Sequence, residues 1–502
     1  MAATGTGATK KAATTRGAAA KAGKPTKAAK AARFGKRRGK PGAPRIRAWE
    51  EDPGMPDSGM TPVLQPVPDV DARPLAVSIT GPKPPPGLAD PTTAEFRWWT
   101  AAEALRRGAD MWSAAIPGLE WFHTVGPALE VELDAGEDLN AYYDRSALRF
   151  FHGTAGTTVV YSGESPDIVC HELGHAVLDA LRPQLFDVAF IEAGAFHESF
   201  GDISAILAAL QLRSVREEAT AGRIYRTSRL SRVAEQLGWA IRLVAPQAVD
   251  PDCLRNAVNS FFYKPPETLP PSAPANELSS EVHSFSRVFT GAFFDALSAM
   301  FDLQDDRDQQ SLLQTATDAA SLLVDAISAS PLVPSYFSQL AAHMIEADAD
   351  RFGGRYTDAL DAAFLRHGVL SPEATCLVAS SRPPPAAVRV GAAAATDGAV
   401  ARDYVLAVSG HPYGLDEDLL VPAPAETKRF AVAGAAAEAG SVESPSHSRA
   451  AEAFVEDLFR RDKIDLGGAS GRQQARSVRP TKRTHEVRRE ERGLVLARRF
   501  FD

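Results

Sequence analysis

The sequence predicts an α+β protein in which a sheet-bearing half is followed by a mainly helical half. Three observations lead there. Leu129-Glu130-Val131-Glu132-Leu133 alternates as a strand, and Tyr142 to Phe151 and Thr157 to Tyr161 read as further strands. Helical spacing dominates from about Ala292: Phe293 to Phe301, Ser311 to Ser328, Tyr336 to Phe352 and Thr357 to His367. Between the two regions lies His171-Glu172-Leu173-Gly174-His175, inside an apolar stretch with its own start and stop signals.

At 502 residues, two or three domain-sized units are expected. The first 47 residues hold fourteen Lys and Arg and no Asp or Glu, and almost no large apolar side chain. Such a segment cannot bury a core, so it reads as a disordered tail. Removing it takes the formal charge of the rest from −8 to −22 (−8 − 14). A basic tail suits nucleic acid, an anionic surface or the protein's own acidic body, and equally serves as a solubilising segment. Residues 48–91, rich in Pro and Gly, read as a linker in which Leu75 to Ile79 form one short strand. The expected division is 1–91 tail and linker, 92–212 sheet-bearing half with the histidine motif, 213–370 helical half, and 371–502 an extension of unknown role.

Thr92 with Glu95 forms a capping box, and Phe96, Trp99, Leu105 and Trp112 give the buried face of the helix that follows. Ser165-Pro166-Asp167 starts the helix of the histidine motif: a cap, a proline in the first turn and an acid near the positive end. Pro183 ends it. Residues four apart share a helix face, so His171 and His175 can turn their imidazoles toward one ion. Glu172 stands beside that ion as a base. Leu178 and Leu181 occupy the later positions of HExxHxxGxxH, which excludes a third histidine there. Glu198, 23 residues after His175 (198 − 175), lies on a second helical stretch from Phe196 to Leu212. Asp202 is one turn further along the same face, where a carboxylate can accept the outer N–H of a ligating histidine.

These motifs resemble the thermolysin-like zinc metallopeptidases, the group whose third ligand is glutamate. Glu192, Gly194, Ala195, Glu198 and Asp202 match the family's pattern after HExxH. Asn140-Ala141-Tyr142-Tyr143 resembles its edge-strand motif, and Val282-His283 with Ser286 its Val-His-x-x-Ser motif. Arg255 precedes His283 by the family interval of 28 residues (283 − 255). Phe337 through Val369 resembles its last helices, so the likeness spans about residues 92–370, with the amino-terminal sheet trimmed.

The resemblance implies one Zn²⁺ per chain held by His171, His175 and Glu198, with Asp202 behind the ligands. It implies that the ion polarises the scissile carbonyl of a peptide or protein substrate, Glu172 acts as general base and His283 stabilises the oxyanion. Arg255, Asn140 and Ala141 would bind the substrate backbone, as strand addition does. Leu254 and Ile168 would line a pocket for an apolar residue after the cut. Two departures stand out. Leu185 to Ile191 contains no hydroxyl where the family has a tyrosine beside the oxyanion. The acid that orients the histidine falls on Leu278, leaving Glu277 or Glu281 to substitute. Asp167 matches a calcium-ligand position, but Ala209 stands where a glutamate is needed, so calcium is not expected.

The expected activity is therefore that of a zinc endopeptidase. The alternatives are a zinc aminopeptidase, which needs a G-x-M-E-N-type segment that does not appear, and a weak or inactive relative acting as a binding protein. Three cysteines (Cys170, Cys253, Cys376) without framework spacing fit a reducing compartment. The first residues have no apolar core of a secretory signal, and no run reaches the roughly 18 apolar residues that span a bilayer, so a cytoplasmic location is expected. In the extension, Ala450 to Phe459 reads as a short helix and Thr484 to Phe501 as a hairpin around Glu491-Arg492-Gly493.

Overall fold

The computed structural model describes residues 43–188, 190–371, 404–423, 455, 459, 464–466, 485–490 and 493–498, and it is an α+β structure. The basic tail and the expected helix at 450–459 lie outside or almost wholly outside these residues.

Residues 48–91 are not a linker. Strand β1 (Arg45–Ala48) pairs antiparallel with β2 (Val63–Pro66), and Ile46 and Ala48 are fully buried. β3 (Val77–Ile79) follows, with Val77 and Ile79 buried. The Pro and Gly content that reads as flexible chain is used for turns: Gly54, Asp57 and Gly59 all have positive φ in the excursion between β1 and β2. The acidic residues of that turn are buried too. Asp52 accepts from Ser165 Oγ at 2.5 Å and from the backbone N–H groups of Gly54 and Gln236, while Glu51 pairs with Arg229 at 2.5 Å. The folded body thus begins near residue 45, well before Thr92.

α1 (Ala94–Ala115) is capped by Thr93, not Thr92: the Thr93 hydroxyl accepts from Phe96 N at 3.3 Å. β4 (Leu129–Glu132), β5 (Ala141–Tyr143) and β6 (Ala147–Phe150) join β3 in a four-stranded sheet of order β3-β4-β6-β5. β3, β4 and β6 are parallel, with Val77 opposite Leu129 and Val131 opposite Leu148. β5 runs antiparallel on the edge, Tyr143 opposite Leu148, and reaches β6 through a turn in which Arg145 has φ +70°. β7 (His152–Ala155) and β8 (Thr158–Tyr161) form a separate hairpin.

α2 (Pro166–Leu181) carries the histidine motif, and its N-terminus is built as the sequence indicates: Ser165 Oγ accepts from Ile168 N at 3.4 Å, and Pro166 opens the first turn. The short α3 (Gln184–Asp187) leads to α4 (Ile191–Ala209), which starts five residues before the expected Phe196. Every residue of α4 from Glu192 to Ala209 is buried, so no apolar stripe marks its boundary. α5 (Arg213–Ala221), β9 (Arg232–Val233), α6 (Glu235–Val244) and β10 (Arg255–Asn256) follow, β9 pairing antiparallel with β10.

α7 (Val282–Asp302) begins eleven residues before the expected Phe293 (293 − 282). Its cap is the carboxylate of Glu281, which accepts from Ser284 N at 2.9 Å and places His283 in the first turn. α8 (Gln309–Ala329), α9 (Tyr336–Phe352) and α10 (Thr357–Arg366) match the expected helices closely. α4 packs against both α2 and α7. Phe196 meets Phe289 edge-on at 5.4 Å and Tyr336 at 5.4 Å, in the apolar centre of the helical part. Beyond it, β11 (Tyr404–Val408), β12 (Leu419–Ala423), β13 (Ile464–Asp465), β14 (His485–Glu490) and β15 (Gly493–Arg498) make a five-stranded sheet of order β11-β12-β15-β14-β13. The β14–β15 hairpin is the one the alternation indicates. Among the described residues no helix is long and apolar enough to cross a membrane.

Candidate metal centre

The site exists because α2 and α4 cross at close range. A Cβ on Gly174 would stand 2.6 Å from Ser204 Oγ and 3.1 Å from the Cα of Gly201, and one on Gly201 would stand 2.6 Å from the His171 ring. Two glycines, one on each helix, therefore let the imidazole of α2 lie directly on the backbone of α4. That crossing brings Glu198 to the paired histidines.

His171 and His175 point to one place, with their Nε2 atoms 3.1 Å apart and their rings nearly perpendicular at 88°. The Glu198 carboxylate closes on both, Oε2 lying 3.4 Å from His171 Nε2 and Oε1 3.7 Å from His175 Nε2. Glu172 completes a buried His171–Glu172–His175 group whose ligand atoms all lie within 4.8 Å of one another and which could hold a metal ion. His171, Glu172, His175 and Glu198 are each 0% exposed.

Behind the histidines stand different partners. Asp202 Oδ1 lies 2.9 Å from His171 Nδ1, and Arg255 clamps the same carboxylate, Nε to Oδ2 at 2.9 Å and Nη2 to Oδ1 at 2.7 Å. His175 instead has the Nδ1 of His197 3.3 Å from its own Nδ1. Arg255 is carried in by β10, whose approach depends on Gly238: a Cβ there would come within 2.2 Å of the Cys253 backbone. From α7, His283 Nε2 reaches Glu198 Oε2 at 3.3 Å, and its Nδ1 bonds Glu281. Of the two acids that could orient His283, Glu281 is therefore the one in place. Glu277 gives its backbone carbonyl to Arg287.

The charges follow from this packing. Burial alone would pull His171 down, but Asp202 and Glu198 carry it up to about 9. His175 goes the other way, held well below the usual imidazole range by burial and by the positive charge on His171, His197 and His283. His283 also rises to about 9, burial being outweighed by Glu198 and Glu281. Glu281 falls to about 2, because His283 and backbone N–H groups overcome its burial. Burial pushes Glu172 up to about 8.

Both oxygens of Glu172 are buried without a hydrogen-bond partner, and those of Glu198 meet histidine nitrogens only at 3.3–3.7 Å. Leaving even one such group unsatisfied costs on the order of 1–3 kcal/mol, and more when it is charged. A cation held between these carboxylates and the two Nε2 atoms would remove that cost, and nitrogen with carboxylate oxygen is a donor set that suits zinc. The residues present fit such an ion.

The remaining sequence-indicated residues are placed less directly. Ala141 lies on the edge strand β5, which packs on α2, and Asn140 precedes it; both are buried. Leu254 and Ile168 are buried, 6% and 1% exposed. Asp167 accepts from Ala234 N at 3.1 Å, joining the start of α2 to the turn before α6. The expected tyrosine position falls within Leu185 to Ile191, of which Ala189 lies outside the described residues. The sequence alone assigns no role to Gly174 or Gly201, although one stands inside the histidine motif and the other between Glu198 and Asp202. No family model matches the chain, and no curated protein matches it.

Proposed function

We propose that this chain is a zinc-dependent endopeptidase of thermolysin-like architecture, with His171, His175 and Glu198 as the ligands, one ion per chain, and an apolar preference after the cut. The observation that carries this reading is the convergence of Glu198 on the two Nε2 atoms while the equally buried Glu172 has no hydrogen-bond partner. A bound zinc ion supplies Lewis-acid chemistry, polarising the scissile carbonyl and making water acidic enough to react near neutral pH. Glu172 takes the proton of the attacking water and passes it to the departing amine. His283, held protonated by Glu198 and Glu281, donates to the oxygen on which negative charge develops. Arg255, fixed by Asp202 beside the ligands, is the residue assigned to the substrate backbone, while β5 gives an edge along which an extended peptide can pair.

Zinc analysis and a digest test the reading together. One zinc per chain is expected, retained in Glu172→Gln and lost in His175→Ala. The wild type should cut an unfolded protein at internal bonds, and a chelator should stop it. A second reading, a weak or inactive relative that works by binding, is favoured by the missing hydroxyl between Leu185 and Ile191. It takes over if the zinc-loaded wild type is as inert as Glu172→Gln.

A further inference from the structure

The chain that leads into α7 has little of its own to hold it. Residues 264–280 contain no strand or α-helix, and Pro265, Pro266, Pro270, Pro271 and Pro274 remove backbone donors. Yet this segment runs straight into Glu281 and His283. A buried cation fixes its end. Arg287, one turn beyond His283 on α7 and 5% exposed, turns its guanidinium onto the segment. Its Nη1 donates to the Ala275 carbonyl and its Nη2 to the Glu277 carbonyl at 2.8 Å. Nη2 also donates to Ser284 Oγ at 2.8 Å, and Nε to the Ser284 carbonyl at 3.1 Å. The Phe261 ring covers the guanidinium at 4.1 Å. All these acceptors are uncharged, so a buried arginine here is costly and calls for a reason.

Ser284 passes that hold on. Its N–H donates to Glu281 Oε2 at 2.9 Å, and its Oγ accepts from Ser279 N at 3.0 Å. The other oxygen of Glu281 bonds His283 Nδ1. From this geometry we infer that Arg287 is a positioning residue for His283. It pins residues 275–279 to the first turn of α7 and, through Ser284, holds the carboxylate that aims the imidazole. The inference rests on the peptidase reading, in which His283 meets the developing oxyanion. The planar fork of a guanidinium suits the task, because it reaches several fixed acceptors at once where an ammonium could not.

A double-mutant cycle separates this role from a merely structural one. Turnover of fluorescently labelled, unfolded casein is measured for the zinc-loaded wild type, Arg287→Met, His283→Ala and the double variant. Arg287→Met is expected to lose about 10- to 100-fold in kcat through misplacement of His283, with KM and one zinc per chain unchanged. His283→Ala should lose about 100- to 1000-fold. In that background Arg287→Met should cost no more than about twofold further, because the group it positions is already gone. Equal losses in both backgrounds, or loss of zinc from Arg287→Met, would overturn the inference. If Arg287→Met does not fold, Ser284→Ala takes its place in the cycle. It removes the shared hydroxyl alone and should show a smaller loss that again vanishes beside His283→Ala; an undiminished loss there overturns the inference. A zinc-loaded wild type that leaves casein uncut sinks the peptidase reading and the inference with it, whereas additive losses in an active enzyme sink the inference alone.

Discussion

The middle and the end of α2 treat buried charge in opposite ways. Asp179, 0% exposed near the C-terminus, accepts from Tyr143 Oη at 3.0 Å and is gripped by Arg145, with Nη2 at 2.7 Å and Nε at 3.2 Å. Arg145 reaches on to Asp187 at 2.6 Å and to the Pro183 carbonyl at 2.8 Å, and its guanidinium lies against the Phe122 and Phe186 rings. Seven residues earlier (179 − 172), Glu172 is equally buried and both its oxygens lack a hydrogen-bond partner. The fully partnered carboxylate fixes the fold, tying β5 and the α2–α3 turn together. The unpartnered one lowers stability, and its position beside two histidines gives a chemical reason for it to be there.

Substitutions can pull this contrast apart. Glu172→Gln removes an uncompensated buried acid, so peptidase turnover should fall by about 10²–10⁴-fold while denaturant unfolding of the metal-free protein shows equal or greater stability. A large loss of stability would place Glu172 in the scaffold with Asp179. Asp179→Ala should do the reverse. It leaves Arg145 buried beside one remaining acid and should cost about 3–5 kcal/mol in urea unfolding, while the fraction that stays folded still binds zinc.

Glu51 extends the contrast to the segment between β1 and β2. Burial raises its pKa from 4.5 to about 7 despite the coulombic pull of Arg229. The folded state therefore holds more protons than the unfolded state between those values, and this group's contribution to stability falls as pH rises through that window. Glu51→Gln should accordingly be more stable than the wild type at pH 8, by on the order of 2 kcal/mol, and show no gain at pH 4. A pH-independent difference would mean that Arg229 already compensates the charge. The smallest effect concerns the helix crossing. Gly201→Ala gains about 1 kcal/mol of helix propensity but pushes a methyl into the His171 ring, an overpacking cost of about 1–3 kcal/mol. Net stability should change little, yet zinc titration should show weakened binding, because His171 must move.

Much of this centre is written in local sequence. The α2 helix announces itself through Ser165-Pro166 and its apolar spacing, and the spacing of His171 and His175 fixes their shared face. The C-terminal hairpin is equally plain, because Gly493 sits between two alternating runs. What could not be read depends on packing between distant segments. The start of α4 is hidden because all its sides are buried, leaving no periodic contrast. The close approach of α2 and α4 rests on two glycines that carry no signature of their own. The choice of Glu281 over Glu277 follows from the start of α7, which places a capping carboxylate next to His283. The β1–β2 segment was misread because four-residue strands among prolines give too short an alternation to outweigh a loop composition.

The most direct test is digestion of a diverse peptide library by the zinc-loaded wild type beside zinc-loaded Glu172→Gln. The account predicts internal cleavage by the wild type alone, with apolar residues enriched immediately after the cut. If both proteins carry one zinc per chain and neither cleaves any peptide, the account of Glu172 as the base of a peptidase is contradicted.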